Sequence, residues 1–230
     1  MCIRDRLSDD DIRHFITDDL VHAHRERALS PAHPFIRGTA QNPDTHFQAR
    51  EAANKYYEKV PGIVQSLMDE FAQVVGRQYH LVEYHGDPDA TEVMVCMGSG
   101  ARTIEHTIDH LNAQGHKLGL VELHLFRPFP AAEIVKAIPQ TARTVAVLDR
   151  TKEPGSNGEP LFLDVLAALS EAHSRGTRDS MPIVSGGRYG ISSKEFTPGM
   201  VAGIAAELEL ESPRPRFTIG IDDDVTGISL

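Results

Sequence analysis

The sequence is poor in cysteine, with Cys2 and Cys96 alone among 230 residues. Two thiols cannot build a disulfide framework, and they are too few for an iron–sulfur cluster or a cysteine-based zinc site. A reducing, cytoplasmic setting is the default for such a chain. No run of about 18 apolar residues is present, so no segment is suited to spanning a membrane. The N-terminus carries no apolar stretch of the signal-peptide kind. Positive charge is in deficit: the formal net charge is −10 and the pI about 5.6, which argues against a nucleic-acid partner. Internal repeats and low-complexity tracts are absent. What is there is 40% hydrophobic, enough for a core of ordinary size, in a length that fits one large domain or one domain with an appendage.

The chain is organised around residues 92–130, EVMVCMGSGARTIEHTIDHLNAQGHKLGLVELHLFRPFP. Val93, Val95 and Met97 open it as a buried strand, and Gly98-Ser99-Gly100 makes a tight turn. A helix is predicted over Thr103–Asn112, with Ile104, Ile108 and Leu111 on one face and Gly115 at its C-terminal end. Leu118–Leu125 is the next strand, parallel to the first, because a helical crossover joins them.

Before this unit, residues 1–6 (MCIRDR) fit nothing that follows and read as translated sequencing-adaptor sequence or as a disordered terminus. Ser8–Asp11 signals a short helix carrying Ile12, Phe15 and Ile16. Asp18 or Asp19 is expected to cap a second helix running through Leu29, stopped by Pro31 and Pro34. Phe35–Asn54 reads as a long ordered loop, and Pro61–Val75 as an amphipathic helix closed by Gly76. An edge strand is expected at Tyr79–Tyr84. After the central unit come a helix over Ala131–Ala137, a strand at Thr144–Leu148, a helix over Leu161–His173 and a strand that starts at Pro182–Ser185. A helix over Pro198–Leu208 and a last strand at Phe217–Ile221 complete the series. This alternation predicts an α/β fold, a mostly parallel sheet sandwiched by helices and preceded by a helical and loop arm. The expected divisions are an arm (1–76), an α/β core domain (77–215) and a last strand with a linker (216–230), the linker inferred from the turn formers Asp222–Asp224 and Gly227.

Candidate chemistry is sparse. The glycines at 98 and 100 could cradle a phosphate at a helix N-terminus, but position 103 is Thr, so G-x-G-x-x-G fails, and no P-loop lysine follows; a plain turn is the simpler reading. His106 and His110 share a helix face without a third ligand, so no metal site is assigned. Cys96 lies inside an apolar strand as an inert thiol. Arg150, Lys152 and Glu153 follow Asp149 at a strand's C-terminal end, where α/β folds place ligands, and equally suit a docking surface. Arg188 and Tyr189 read as an anchored loop. No Ser–His–Asp set or acid pair stands out, so no catalytic residue is assigned.

Segments HRERALSPAHPFIRGTAQNPDTHFQAREAANKYYEKVPGIV, LFRPFP, VAVLDRTKEPGSNGEPLFLDV, GGRYGISSKEFTPGMV and FTIGIDDDVTGISL together resemble the pyruvate:ferredoxin (flavodoxin) oxidoreductases, from about Asp18 to Leu230. The resemblance implies a large homodimer that oxidatively decarboxylates pyruvate to acetyl-CoA with thiamine diphosphate, Mg²⁺ and coenzyme A, passing electrons through [4Fe–4S] clusters to ferredoxin or flavodoxin. It covers the tail of the thiamine-binding first domain and a second domain similar to the transketolase C-terminal domain. The family's substrate, magnesium and cluster residues then lie outside this chain, and the chain alone is expected to be inactive. Arg37, Gly38, Thr39, Gln41 and Asn42, with Arg77, are candidates for contacts with coenzyme A phosphates or a neighbouring domain, on position and residue type. The other reading is a free-standing interaction subunit of a split 2-oxoacid oxidoreductase. On the first reading, residues from Tyr79 to Leu208 fold alone and the arm before Ala53 is mobile.

Overall fold

The computed structural model describes residues 6–34, 38 and 40–230. The chain divides into two compact units, Met1–Tyr79 and His80–Leu230.

The first unit is a set of short helices. Asp9–Phe15 (α1) starts at a capping box: Ser8 accepts from the Asp11 N–H while Asp11 accepts from the Ser8 N–H. Asp18–Glu26 (α2) is capped by Thr17, not by Asp18 or Asp19 as expected, and it ends before Leu29. Both aspartates instead occupy the first turn, where their charge suits the helix dipole. The stretch expected as a loop contains one helix, Pro43–Ala52 (α3), and a single turn, Asn54–Tyr57 (α4), follows at its end. Asn42 caps the first through the Thr45 N–H at 3.1 Å and Pro43 opens it, a start signal that its weak periodicity obscured. Val60–Val75 (α5) closes at Gly76, whose φ of 73° is the left-handed cap. His14 meets Glu70 at 2.8 Å and Phe15 meets the Phe71 ring at 5.9 Å, so α1 lies on α5. None of these helices has a buried residue.

The second unit is a six-stranded sheet with helices on both faces. Its strands are Val82–Gly86 (β1), Glu92–Met97 (β2), Leu118–Leu123 (β3), Thr144–Asp149 (β4), Ile183–Arg188 (β5) and Arg216–Thr218 (β6), in the order β1-β3-β2-β4-β5-β6. Only β1 is antiparallel to its neighbour. The edge strand starts at Val82 rather than Tyr79, because its register pairs Val82 with Leu123 and Gly86 with Gly119 and turns Val82 and Tyr84 toward the core. Gly100–Asn112 (α6) and Pro198–Leu208 (α9) pack on one face with Met94, Cys96, Leu118 and Leu120. Ala131–Ala137 (α7) and Pro160–Ser174 (α8) pack on the other with Val93, Val95, Val121 and Val145. The strand pleat sends alternate residues to the two layers.

The ends of the last two strands have a packing reason. β5, expected to start within Pro182–Ser185, does start at Ile183 and runs on through Gly186 and Gly187 to Arg188. A Cβ at Gly187 would lie 2.5 Å from the Phe217 ring, so the bare backbone is what lets that ring cross the sheet. The last strand is shorter than expected, and the residues expected as a linker fold back along it. Thr218 donates its N–H to Ile228 and accepts the Leu230 N–H, and Leu230 packs against the core. Asp224 holds that turn, accepting N–H bonds from Thr226, Ile228 and Ser229.

Candidate functional site

The parallel strands end on one edge, and β2 and β4 form its switch point: β2 leads through α6 to β3 on one side, and β4 leads through α8 to β5 on the other. Such a crevice is the usual ligand position in open α/β sheets. Here it is lined by the Gly98-Ser99-Gly100 turn, by Asp149 at the end of β4 and Arg150 after it, and by Tyr189 and Gly190 after β5.

Asp149 is buried, and its two carboxylate oxygens accept the N–H groups of Leu161 and Phe162 at 3.0 Å each. Burial pushes its carboxyl above the usual carboxylate range despite these two helix bonds. The N-terminus of α8, a ready anion seat, is therefore filled by the chain's own side chain. Glu159, 2% exposed, stands between Lys152 at 3.3 Å and Arg188 at 3.4 Å. Arg216 lies 3.8 Å over the Phe162 ring and donates to the Asn157 carbonyl at 2.7 Å. The loop 150–158, expected either as a ligand seat or as a docking surface, is thus pinned at both ends, while Lys152 to Asn157 stay exposed.

Tyr189 is buried, and its hydroxyl would sit 2.5 Å from a Cβ at Gly100. The second glycine of the turn is needed for that approach. Arg150 reaches over Gly190 and donates Nε–H to its carbonyl at 2.7 Å. Arg188, expected in a loop, ends β5 and reaches Glu159 instead.

One group missed in the sequence gathers elsewhere. Glu83, Glu122 and His124 have potential ligand atoms within 4.8 Å of one another. The spacing of Glu122 and His124, two apart along a strand and so on one face, was the available signal. Arg102 pairs with Glu122 and also with Glu105. His124 places Nε2 3.4 Å from the other Glu122 oxygen and Nδ1 2.9 Å from the His80 carbonyl. Burial favours a higher pKa at Glu122, but the His124 bond and Arg102 outweigh it and hold the carboxyl low. A carboxylate already neutralised by a guanidinium is a poor cation ligand, and the group works as an ion-pair network.

Among the candidate contact residues, Arg37 and Thr39 lie outside the described residues. Gly38 has φ 81°, Gln41 bonds His46 at 3.3 Å, and Asn42 caps α3. Arg77 stacks 5.3 Å from the Phe71 ring. His106 and His110 are exposed, and His110 bonds Gln114. A [4Fe–4S] cluster, which needs several thiolates, finds no such set among the described residues. Cys96 is the one cysteine described, and burial pushes its thiol up to about 12.

Residues 90–189 match the family model described as pyruvate:ferredoxin oxidoreductase core domain II. Residues 5–69 match the model for the thiamine diphosphate-binding part of pyruvate flavodoxin/ferredoxin oxidoreductase. The chain is 55% identical to a pyruvate-flavodoxin oxidoreductase of Trichormus variabilis, over 97% of this chain and 19% of that protein. It is 51% identical to a pyruvate-flavodoxin oxidoreductase of Nostoc sp., over 97% of this chain and 54% of that protein. It is 49% identical to the pyruvate:ferredoxin oxidoreductase of Moorella thermoacetica, over 98% and 19%. The chain thus spans about a fifth of the length of most of these relatives and about half of one. The chain belongs to the pyruvate:ferredoxin (flavodoxin) oxidoreductase family, of which it represents the end of the first domain and the second.

Proposed function

We propose that this chain serves as an interdomain element of an enzyme that oxidatively decarboxylates pyruvate to acetyl-CoA and reduces ferredoxin or flavodoxin, and that it carries no turnover alone. The observation behind this reading is the contrast between the two units. The α/β unit has its own core. The helices of the first unit have no buried residue and leave Ile16, Leu20, Leu29, Phe47, Ile63 and Leu67 exposed. Large apolar side chains left exposed in this number suit a surface covered by another part of the protein. The relative of Trichormus variabilis is a longer chain of which this one covers 19%, which favours this reading over a free-standing subunit.

Thiamine diphosphate, Mg²⁺, the [4Fe–4S] clusters and the homodimer partner then belong to the surrounding protein, in a cytoplasmic setting. The second unit's described ion pairs and caps do structural work: they fix the loop 150–158 and the sheet edge against neighbouring domains. Arg37, Gly38, Thr39, Gln41, Asn42 and Arg77 contact coenzyme A phosphates or an adjoining domain.

Two assays test this. The 230-residue chain, supplied with pyruvate, coenzyme A, thiamine diphosphate, Mg²⁺ and oxidised flavodoxin, is expected to give no acetyl-CoA. Formation of acetyl-CoA would overturn the structural role. In a complete parent enzyme, Arg37→Ala or Arg77→Ala is expected to raise the KM for coenzyme A, and an unchanged KM removes that residue from the coenzyme A contact.

A further inference from the structure

The crevice between β2 and β4 has a feature that a plain strand-to-helix turn does not require. Helix α6 begins there with first-turn N–H groups that have no intrahelical acceptor, of which that of Ala101 is taken by the Gly98 carbonyl at 3.0 Å. Its N-cap, Ser99, makes no side-chain cap, and no acidic residue lies in its first turn. Three of the other long helices are treated differently. Thr197 caps α9, Asn42 caps α3, and Asp149 reaches across to cap α8.

The second, independent feature is Tyr189. The residue is 5% exposed, no hydrogen bond to a described residue engages its hydroxyl, and the oxygen is not sealed from solvent. A phenol held in this way keeps its O–H free for a ligand in the crevice. The hydroxyl is aimed into the turn, against the backbone at Gly100, where a Cβ would fill the space it uses. Burial pushes its pKa up to about 12, so at neutral pH it remains an O–H donor.

The third feature is Arg150, which is exposed and makes no ion pair among the described residues. Its Nε–H is anchored on the Gly190 carbonyl, which holds the side chain on the Tyr189 side of the crevice while Nη1 and Nη2 make no hydrogen bond among the described residues. The nearby carboxylate, Asp149, has both oxygens spent on α8.

We propose that this crevice binds a compact oxyanion, the phosphoryl group of inorganic phosphate or of a small phosphate ester. The α6 N-terminus, the Ser99 and Tyr189 hydroxyls and the Arg150 guanidinium are its donors. All four are donors at neutral pH, and one carries a full positive charge, the combination a phosphoryl dianion rewards. The exposed Gly98 and Ser99 leave the site open to solvent, so the ligand enters without a lid. The site is independent of the interdomain role, and its test does not require the parent enzyme.

Isothermal titration of the 230-residue chain with inorganic phosphate, at constant ionic strength against chloride, reads this directly. A second titration uses glycerol phosphate; the tighter of the two identifies the source. Saturable binding is expected with at least one. Tyr189→Phe keeps the ring packing and removes one donor, and should weaken binding about three- to tenfold. Arg150→Gln should weaken it by about tenfold or more. Unchanged melting of both variants confirms that the loss is local. No saturable heat with either phosphate overturns the proposal. So does binding that both variants retain at the wild-type affinity.

Discussion

The two units of this chain solve opposite problems with similar helices. In His80–Leu230, α6, α8 and α9 each bury apolar residues against a sheet whose three central strands, β2, β3 and β4, are closed on both faces. In Met1–Tyr79, α5 has the same length class and an apolar stripe, yet Ile63 and Leu67 on it are 55% and 48% exposed. Local signals therefore make a helix in both places, whereas only the sheet turns helices into a core. Isolated helices of this length are marginal in water, and most helical stability comes from packing.

The comparison breaks most sharply under core truncation. Phe162→Ala in α8 removes a ring that is 1% exposed, and should cost about 3–5 kcal/mol in urea unfolding. Leu67→Ala in α5 should change the same transition by less than about 0.5 kcal/mol. Equal losses would mean that α5 carries a core after all.

Arg178 sharpens it on the polar side. This guanidinium is 1% exposed and donates to the carbonyls of Ile138, Pro139 and Ser180 at 2.8–3.0 Å. It ties the end of α7 to the loop after α8. Arg178→Met keeps the volume and strands three acceptors, so a loss of about 2–4 kcal/mol is expected by chemical denaturation. A loss below about 1 kcal/mol would show that water replaces the guanidinium.

The smallest effect lies at the tail. Asp224 has its pKa lowered from 3.8 to about 2, chiefly by the Thr226 hydroxyl and N–H, with further N–H bonds from Ser229 and Ile228. A depressed carboxyl contributes stability that is complete above the unfolded value and lost as pH falls through the folded one. The Ile228 and Ser229 amide resonances should therefore shift between about pH 4 and 2, and Asp224→Asn should abolish that step. A tail that titrates identically in the variant would assign the transition to another group.

Much of the α/β unit was legible because its strands are short apolar runs and its helices have caps and stripes. The helices at Ala131–Ala137 and Pro198–Leu208 fall where the sequence predicts them. Pro43–Ala52 was not legible as a helix, since PDTHFQAREA has no apolar stripe and only the Asn42-Pro43 start marks it. The extension of β5 through two glycines depends on rings from Phe162 and Phe217, which no local pattern announces. The crevice was half legible. Its glycines and Arg150 stood out as residue types. The cap that Asp149 makes on α8 and the placement of Tyr189 on Gly100 arise only when distant segments meet.

Hydrogen exchange on the 230-residue chain tests the two-unit account most directly. The account predicts strong, cooperative protection across β2, β3, β4 and the inner faces of α6 and α8. It predicts exchange near the unprotected rate through α1 to α5, because no core holds those helices closed. Protection in Asp18–Val75 matching that of the sheet, in a chain shown to be monomeric, would contradict it.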